Sequence, residues 1–208
     1  MANGKIVSRD KNTHGLRGHE SIYNVDFLSM AESMIRATAN DEGVSNFRIA
    51  HVKRVTELAL EMSEGNNKID QRKLRIACQV HDMYEYVTTQ KHGELAGEFL
   101  RTFVDEYYPQ MSGDKIEWMK AIEAVTLHSE KTVTSSNKYL DYLQDADVLD
   151  KLSVEYVTGW YDTFEASNIK EVIDKSMTKV EKCPGKTGVF KEKKAELIQK
   201  LVTHFNLE

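Results

Sequence analysis

The sequence predicts an all-α protein. Apolar residues recur three and four positions apart over long stretches, which is the signature of amphipathic helices. Only two prolines interrupt 208 residues, and alternating β-branched runs are few.

The first 20 residues mix Gly, Asn, Arg and His without a period and read as a flexible arm. Helical spacing begins after Asn24 with Phe27, Met30, Met34 and Ile35. A second helix is expected from Asn46, a good capping residue, to Ser63, where Gly65-Asn66-Asn67 stops it. A third starts at Asp70 and carries Leu74, Ala77 and Cys78 on one face to His81. Val87–Lys91 reads as a polar loop, and a fourth helix runs from Gly93 to Tyr107, ahead of Pro109. The fifth follows Ser112 and passes through Ile116, Met119, Ile122 and Val125 to His128. After a Ser/Thr-rich loop over Lys131–Asn137, a sixth helix is expected from Lys138 to Tyr156 or beyond. Past Gly159 the expectation is a short helix over 169–180, a Pro184-Gly185 turn and a closing helix over 189–204. Residues 21–208 therefore read as a single helical domain.

Composition narrows the functional classes. Hydrophobic residues make up 40%, and a chain of this length buries roughly 70% of its unfolded surface without covalent staples. Two cysteines, Cys78 and Cys183, exclude a disulfide scaffold and a four-cysteine zinc site. A net charge of −5 argues against a nucleic-acid footprint. No apolar run approaches the ~18 residues of a membrane span, and the opening stretch lacks a signal-peptide core. The expectation is a cytoplasmic protein with no membrane partner.

Several polar side chains fall where a helical core should be apolar. His51 shares a face with Val55, Leu58 and Met62. His81 follows Leu74, Ala77 and Cys78 at inward spacing, and His128 follows Ala121 and Val125. Asp147 follows Leu140 and Leu143. Asp82 lies about 100° further around from His81. Singly, each reads as a hydrogen-bonded core histidine or a capping carboxylate. Inward polar groups on four separate helices share one reason, a divalent ion. Imidazole and carboxylate suit Zn, Fe, Mn or Co, and bundles place metals between helices.

In this order, His51, the His81-Asp82 doublet and Asp147 within Leu-Gln-Asp-Ala-Asp-Val-Leu-Asp resemble the H…HD…D signature of the HD-domain metal-dependent phosphohydrolases. The resemblance covers about residues 46–155 and implies an HD-domain helical bundle with a metal site between helices. His92, opening His-Gly-Glu-Leu-Ala-Gly-Glu, and His128, closing Ala-Val-Thr-Leu-His, resemble the extra ligands of the two-metal subgroup, H…HD…H…H…D. That subgroup includes symmetrical dinucleoside-tetraphosphate hydrolases and many cyclic-nucleotide phosphodiesterases. The resemblance implies two ions of Fe, Mn, Co or Zn, with Mg also acceptable. Asp82 would bridge them, with His51, His81 and Asp147 on one ion and His92 and His128 on the other. It implies hydrolysis of a phosphoester or phosphoanhydride, most readily of a nucleotide, by a metal-activated water.

Glu85 stands three residues past Asp82, where related nucleotidases and guanosine-polyphosphate hydrolases carry an acid. It is a candidate to orient water or protonate the leaving group. The second acid usual in the guanosine-polyphosphate group is replaced by Tyr86. Lys91 and Lys131, each in a loop beside a ligand histidine, are the leading catalytic cations, with Arg48 and Arg54 behind them. Trp118, Trp160 and Tyr107-Tyr108 read as core or edge aromatics. Two other functions share the ligand set: an HD-fold mixed-valent di-iron oxygenase, and a non-catalytic nucleotide-binding regulatory domain.

Overall fold

The structure is a computed structural model that describes residues 25–107, 114–130, 133, 135–164 and 166–207. The expectations for residues 1–20, and for Lys131 and Tyr108, lie outside these residues. Nine helices run through the described part: α1 Phe27–Thr38, α2 Glu42–Met62, α3 Gln71–Val80, α4 His92–Tyr107, α5 Lys115–Leu127, α6 Lys138–Asp150, α7 Val154–Thr163, α8 Ile169–Glu181 and α9 Phe190–Phe205. No strand occurs among the described residues, so the fold class is all-α as expected. None of these helices is long and apolar enough to cross a membrane.

Side-chain caps start most of the helices, and they account for two departures from the sequence reading. Asp41, in extended backbone, accepts the Val44 N–H at 2.8 Å, so α2 begins four residues before Asn46. Asn46 instead lies exposed on the helix surface, where it accepts a hydrogen bond from Arg36. The expected sixth helix is two helices. Ser153 turns extended and accepts the Tyr156 N–H at 3.1 Å, ending α6 at Asp150 and opening α7. A third departure concerns α5. Ile116 and Met119 are 64% and 43% exposed, because the inward stripe runs through Trp118, Ala121, Ile122 and Val125. That set is spaced i, i+3, i+4 and i+7 from Trp118, a proper helical face.

One apolar cluster holds the bundle together, with Val55, Leu74, Ala77, Val80, Val125, Leu140 and Leu143 fully buried in it. Helix α2 packs against α3 and α6, and α5 lies between α4 and α6. Helix α7 covers α2 and pairs with α8, while α9 closes over α6 and α7. The middle of α2, the C-terminal ends of α3, α5 and α6, and the start of α4 carry the inward polar residues and thereby face one another.

Candidate metal centre

Five different elements deliver the six inward side chains. His51 sits on α2 and Asp147 on α6; His81 and Asp82 occupy the turn after α3. His92 is the first residue of α4, and His128 directly follows α5. All six are buried, from 0% exposure for His81 to 8% for Asp147. They converge. His51 Nε2 stands 3.3 Å from Asp147 Oδ1 and 3.5 Å from Asp82 Oδ2. On the other side of the Asp82 carboxylate, Oδ1 lies 3.5, 3.4 and 3.2 Å from Nε2 of His81, His92 and His128. His92 Nε2 and His128 Nε2 are 3.0 Å apart.

The outer nitrogens fix which way these rings present their lone pairs. His51 Nδ1 meets Asp150 Oδ2 at 2.7 Å. His81, His92 and His128 place Nδ1 on the carbonyls of Cys78, Thr89 and Val125 at 2.7, 2.9 and 2.7 Å. Carbonyls and carboxylates only accept, so each Nδ1 is the donor and each ring, when neutral, turns the Nε2 lone pair inward. Two lone pairs 3.0 Å apart repel unless a cation lies between them. Two nitrogens bound side by side to one ion at about 2.1 Å stand roughly 3 Å apart. The Nε2 atoms of His51 and His81 are buried without a hydrogen-bond partner among the described residues. Three overlapping triads have their donor atoms within 4.8 Å of one another: His51-His81-Asp147, His81-Asp82-His128 and Asp82-Glu85-His92. This donor set fits one or two divalent ions, and Asp82, with Oδ2 toward His51 and Oδ1 toward His81, His92 and His128, fits a shared ligand.

The electrostatics differ across the cluster, favouring a proton on His51 and refusing one on His81. Burial presses the His51 imidazole down, but Asp147, Asp150 and Asp82 together prevail and raise it to about 9. Burial takes His81 down to about 3, with Asp82 opposing and His128 and His51 assisting. Asp82 lies well below the usual carboxylate range: burial raises it, and His81, Arg48, His128 and His51 outweigh that. Glu85, half-buried, is pushed up by burial and by Asp82.

A cavity of about 320 Å³ opens onto the cluster, and its outer wall contains Arg48, Lys151, Tyr156, Trp160 and Lys179. Arg48 donates to Asp82 Oδ2 at 2.5 Å and stands 3.7 Å from Glu85. Lys151 Nζ donates to the Asp147 carbonyl at 2.7 Å and to its Oδ1 at 3.1 Å. Lys179 Nζ lies 5.7 Å from the Trp160 ring centre. The sequence reading missed Asp150, Lys151, Tyr156 and Lys179, and took Trp160 for a core or edge aromatic. It also chose Lys91, which is exposed and does not line the cavity. Its neighbour His92 is buried as the first residue of α4, while Lys91 lies in the turn before it. Arg54 is likewise engaged elsewhere, on Asp150. Asp150 and Lys151 follow Asp147 by three and four residues and so share its side of the chain, a signal the sequence did offer.

Residues 48–154, just over half of the chain, match the HD domain family. The chain belongs to that family. Every one of the six inward residues lies inside the matched HD domain, whereas Trp160 and Lys179 lie beyond it. The fold is similar to the crystal structure of a predicted HD superfamily hydrolase from an uncultured Thermotogales bacterium. The two share 22% identity with a TM-score of 0.50, over 90% of this chain and 98% of that one. Among curated proteins none matches the chain significantly.

Proposed function

We propose that this HD-domain protein is a divalent-metal-dependent phosphohydrolase that cleaves a phosphoester or phosphoanhydride of a nucleotide. The observation that carries the reading is the set of four Nδ1-anchored imidazoles turning Nε2 toward a shared carboxylate, Asp82. His51, His81, Asp82 and Asp147 would hold one ion, and Asp82, His92 and His128 a second. Such ions, when bound, lower the pKa of water toward neutrality and offset charge on phosphoryl oxygens.

The rest falls to side chains of this chain. Arg48, braced by Asp82, and Lys151, braced by Asp147, present cations to the phosphate, with Lys179 at the mouth. Glu85 is raised above its ordinary value and adjoins the cluster, which suits it to hold the proton that the leaving oxygen takes. The Tyr156–Trp160 wall supports a nucleotide over a purely inorganic substrate, since aromatic surface beside phosphate-binding cations matches base and phosphate together.

The test is phosphate release by metal-stripped protein, reloaded with Mn, Fe, Co, Zn or Mg, over a panel of nucleoside mono-, di- and triphosphates and dinucleoside polyphosphates. Release that depends on added metal is the expected result. Oxygen consumption by the iron-loaded protein with no phosphate release would overturn the hydrolase reading in favour of the di-iron oxygenase. Silence with every metal and nucleotide would overturn it outright.

A further inference from the structure

The four imidazoles are not supported alike. His81, His92 and His128 each donate Nδ1–H to the neutral carbonyl three residues earlier in the chain. His51 donates to a carboxylate, Asp150, which is 1% exposed. Arg54 holds that carboxylate with two hydrogen bonds, Nε to Oδ1 at 2.7 Å and a terminal nitrogen to Oδ2 at 3.1 Å. Ser153 donates to Oδ1 at 3.1 Å. Both oxygens of Asp150 are thus spoken for, and the His51 ring is locked in orientation and tautomer. Glu85 also comes within 3.0 Å of His92 Nδ1, but it is half-buried and pairs with Arg48 as well.

An anionic acceptor behind an imidazole raises its basicity as a ligand and fixes its aim, and removing such partners typically costs 10–100-fold in metal affinity. The His51 side also faces two carboxylates, Asp147 and one oxygen of Asp82. The His92–His128 pair faces the other oxygen of Asp82 and, at His92, the half-buried Glu85, whose carboxylate Arg48 shares.

We infer that Asp150, held by Arg54, is a positioning residue that divides the cluster into a tight ion site around His51 and Asp147 and a weak, exchangeable one around His92 and His128. The ions therefore load in order, the His51 site first. The inference rests on the metal-dependent reading above but is read by metal binding alone.

The experiment is calorimetric titration of metal-free protein with Mn²⁺, repeated with Co²⁺ while recording its visible absorption. Wild type should take up two ions in steps separated by at least about tenfold. Asp150→Asn should weaken the first step by roughly 10–100-fold, alter the spectrum of the first Co²⁺ equivalent and leave the second step in place. His128→Ala should remove the second step and keep the first. Arg54→Lys should weaken the first step in the same direction by less, and it carries the test if Asp150→Asn does not fold by circular dichroism. Binding in a single step, an unchanged first step in Asp150→Asn, or equal weakening of both steps would overturn the inference. Ordered loading without phosphate release would sink the hydrolase reading and keep this one. Phosphate release with two equal sites would do the reverse.

Discussion

The pair His51–Asp147 and the pair His92–His128 are brought together by opposite means. Between α2 and α6 the ligands are tied by charge: Arg54 holds Asp150, Asp150 holds His51, and Lys151 holds Asp147. Between α4 and α5 they are brought close by missing volume. A Cβ on Gly93 would stand 2.8 and 3.0 Å from the carbonyl oxygens of Thr126 and Val125, and one on Gly97 would stand 2.1 Å from Thr126 Oγ1. Real Cβ atoms do not tolerate such contacts, so His92 and His128 meet because two backbones touch. Charge networks fail by losing affinity while the helices stay put, whereas a backbone contact fails by parting the helices.

The largest effect should come where the two pairs join. Asp82→Asn should reduce metal-dependent phosphate release to background. It should also abolish the stabilisation that metal gives wild type, which mass action puts at about 2.7 kcal/mol when metal is at 100 times its dissociation constant. Asparagine is the better probe than alanine, since it leaves Arg48 an acceptor. Melting temperature against metal concentration checks it, and a wild-type metal shift in Asp82→Asn would dissolve the link between the pairs.

Next is the packed pair. Gly93→Ala should cost about 1–3 kcal/mol by overpacking, or a few °C per kcal/mol in melting temperature for a chain of this length. Alanine would otherwise favour the helix by about 1 kcal/mol. A melting temperature equal to or above wild type would show that α4 and α5 part freely and that the packing account is wrong.

The charged pair should reveal itself through pH. His51 is held at about 9, above its unfolded value near 6.5. Its stabilisation is therefore complete below pH 6.5 and lost as pH rises through 9. His81, held at about 3, runs the other way: below pH 6.5 the unfolded chain takes up a proton that the folded one refuses. Metal-free protein should thus melt highest near pH 6.5, and His51→Gln should reduce the alkaline limb, leaving the share from His92, where burial is likewise outweighed by Asp82 and Glu85. An alkaline limb unchanged in His51→Gln would remove the charge network as its cause.

The smallest effect lies outside both pairs. Lys179→Ala should raise KM a few-fold and spare kcat, because its cation is at the cavity mouth and solvent-exposed. An equal fall in kcat would place Lys179 nearer the reacting phosphate than its position indicates.

What the sequence disclosed follows the same division. The inward positions of His51, His81, His128 and Asp147 were legible because helical periodicity alone sets them. The start of α3 beside Asp70 was legible because the residues after it carry an unambiguous stripe. The start of α2 was not, since Asp41 is followed by Glu42-Gly43, which lacks apolar spacing while Asn46 offered a plausible cap. The break at Ser153 was hidden because Leu149, Leu152, Tyr156 and Val157 keep the stripe running across it. Lys179 and Trp160 were illegible as a pair, for α7 and α8 meet the metal cluster only through tertiary packing. No spacing in the chain encodes that.

Two residues before Asp147, the same helix carries another buried carboxylate. Asp145 accepts the main-chain N–H groups of Lys186 and Thr187, at 2.9 and 2.7 Å, from the turn that contains Gly185. Those partners lie 41 and 42 residues further along the chain. During synthesis α6 therefore leaves the ribosome well before the N–H groups that solvate Asp145 exist. For that interval the helix carries an unanswered negative charge on its way into an apolar core. The metal-facing stretch of α6 lacks this support until the turn at Lys186 and Thr187 has been made, which ties the centre to a segment beyond the matched HD domain.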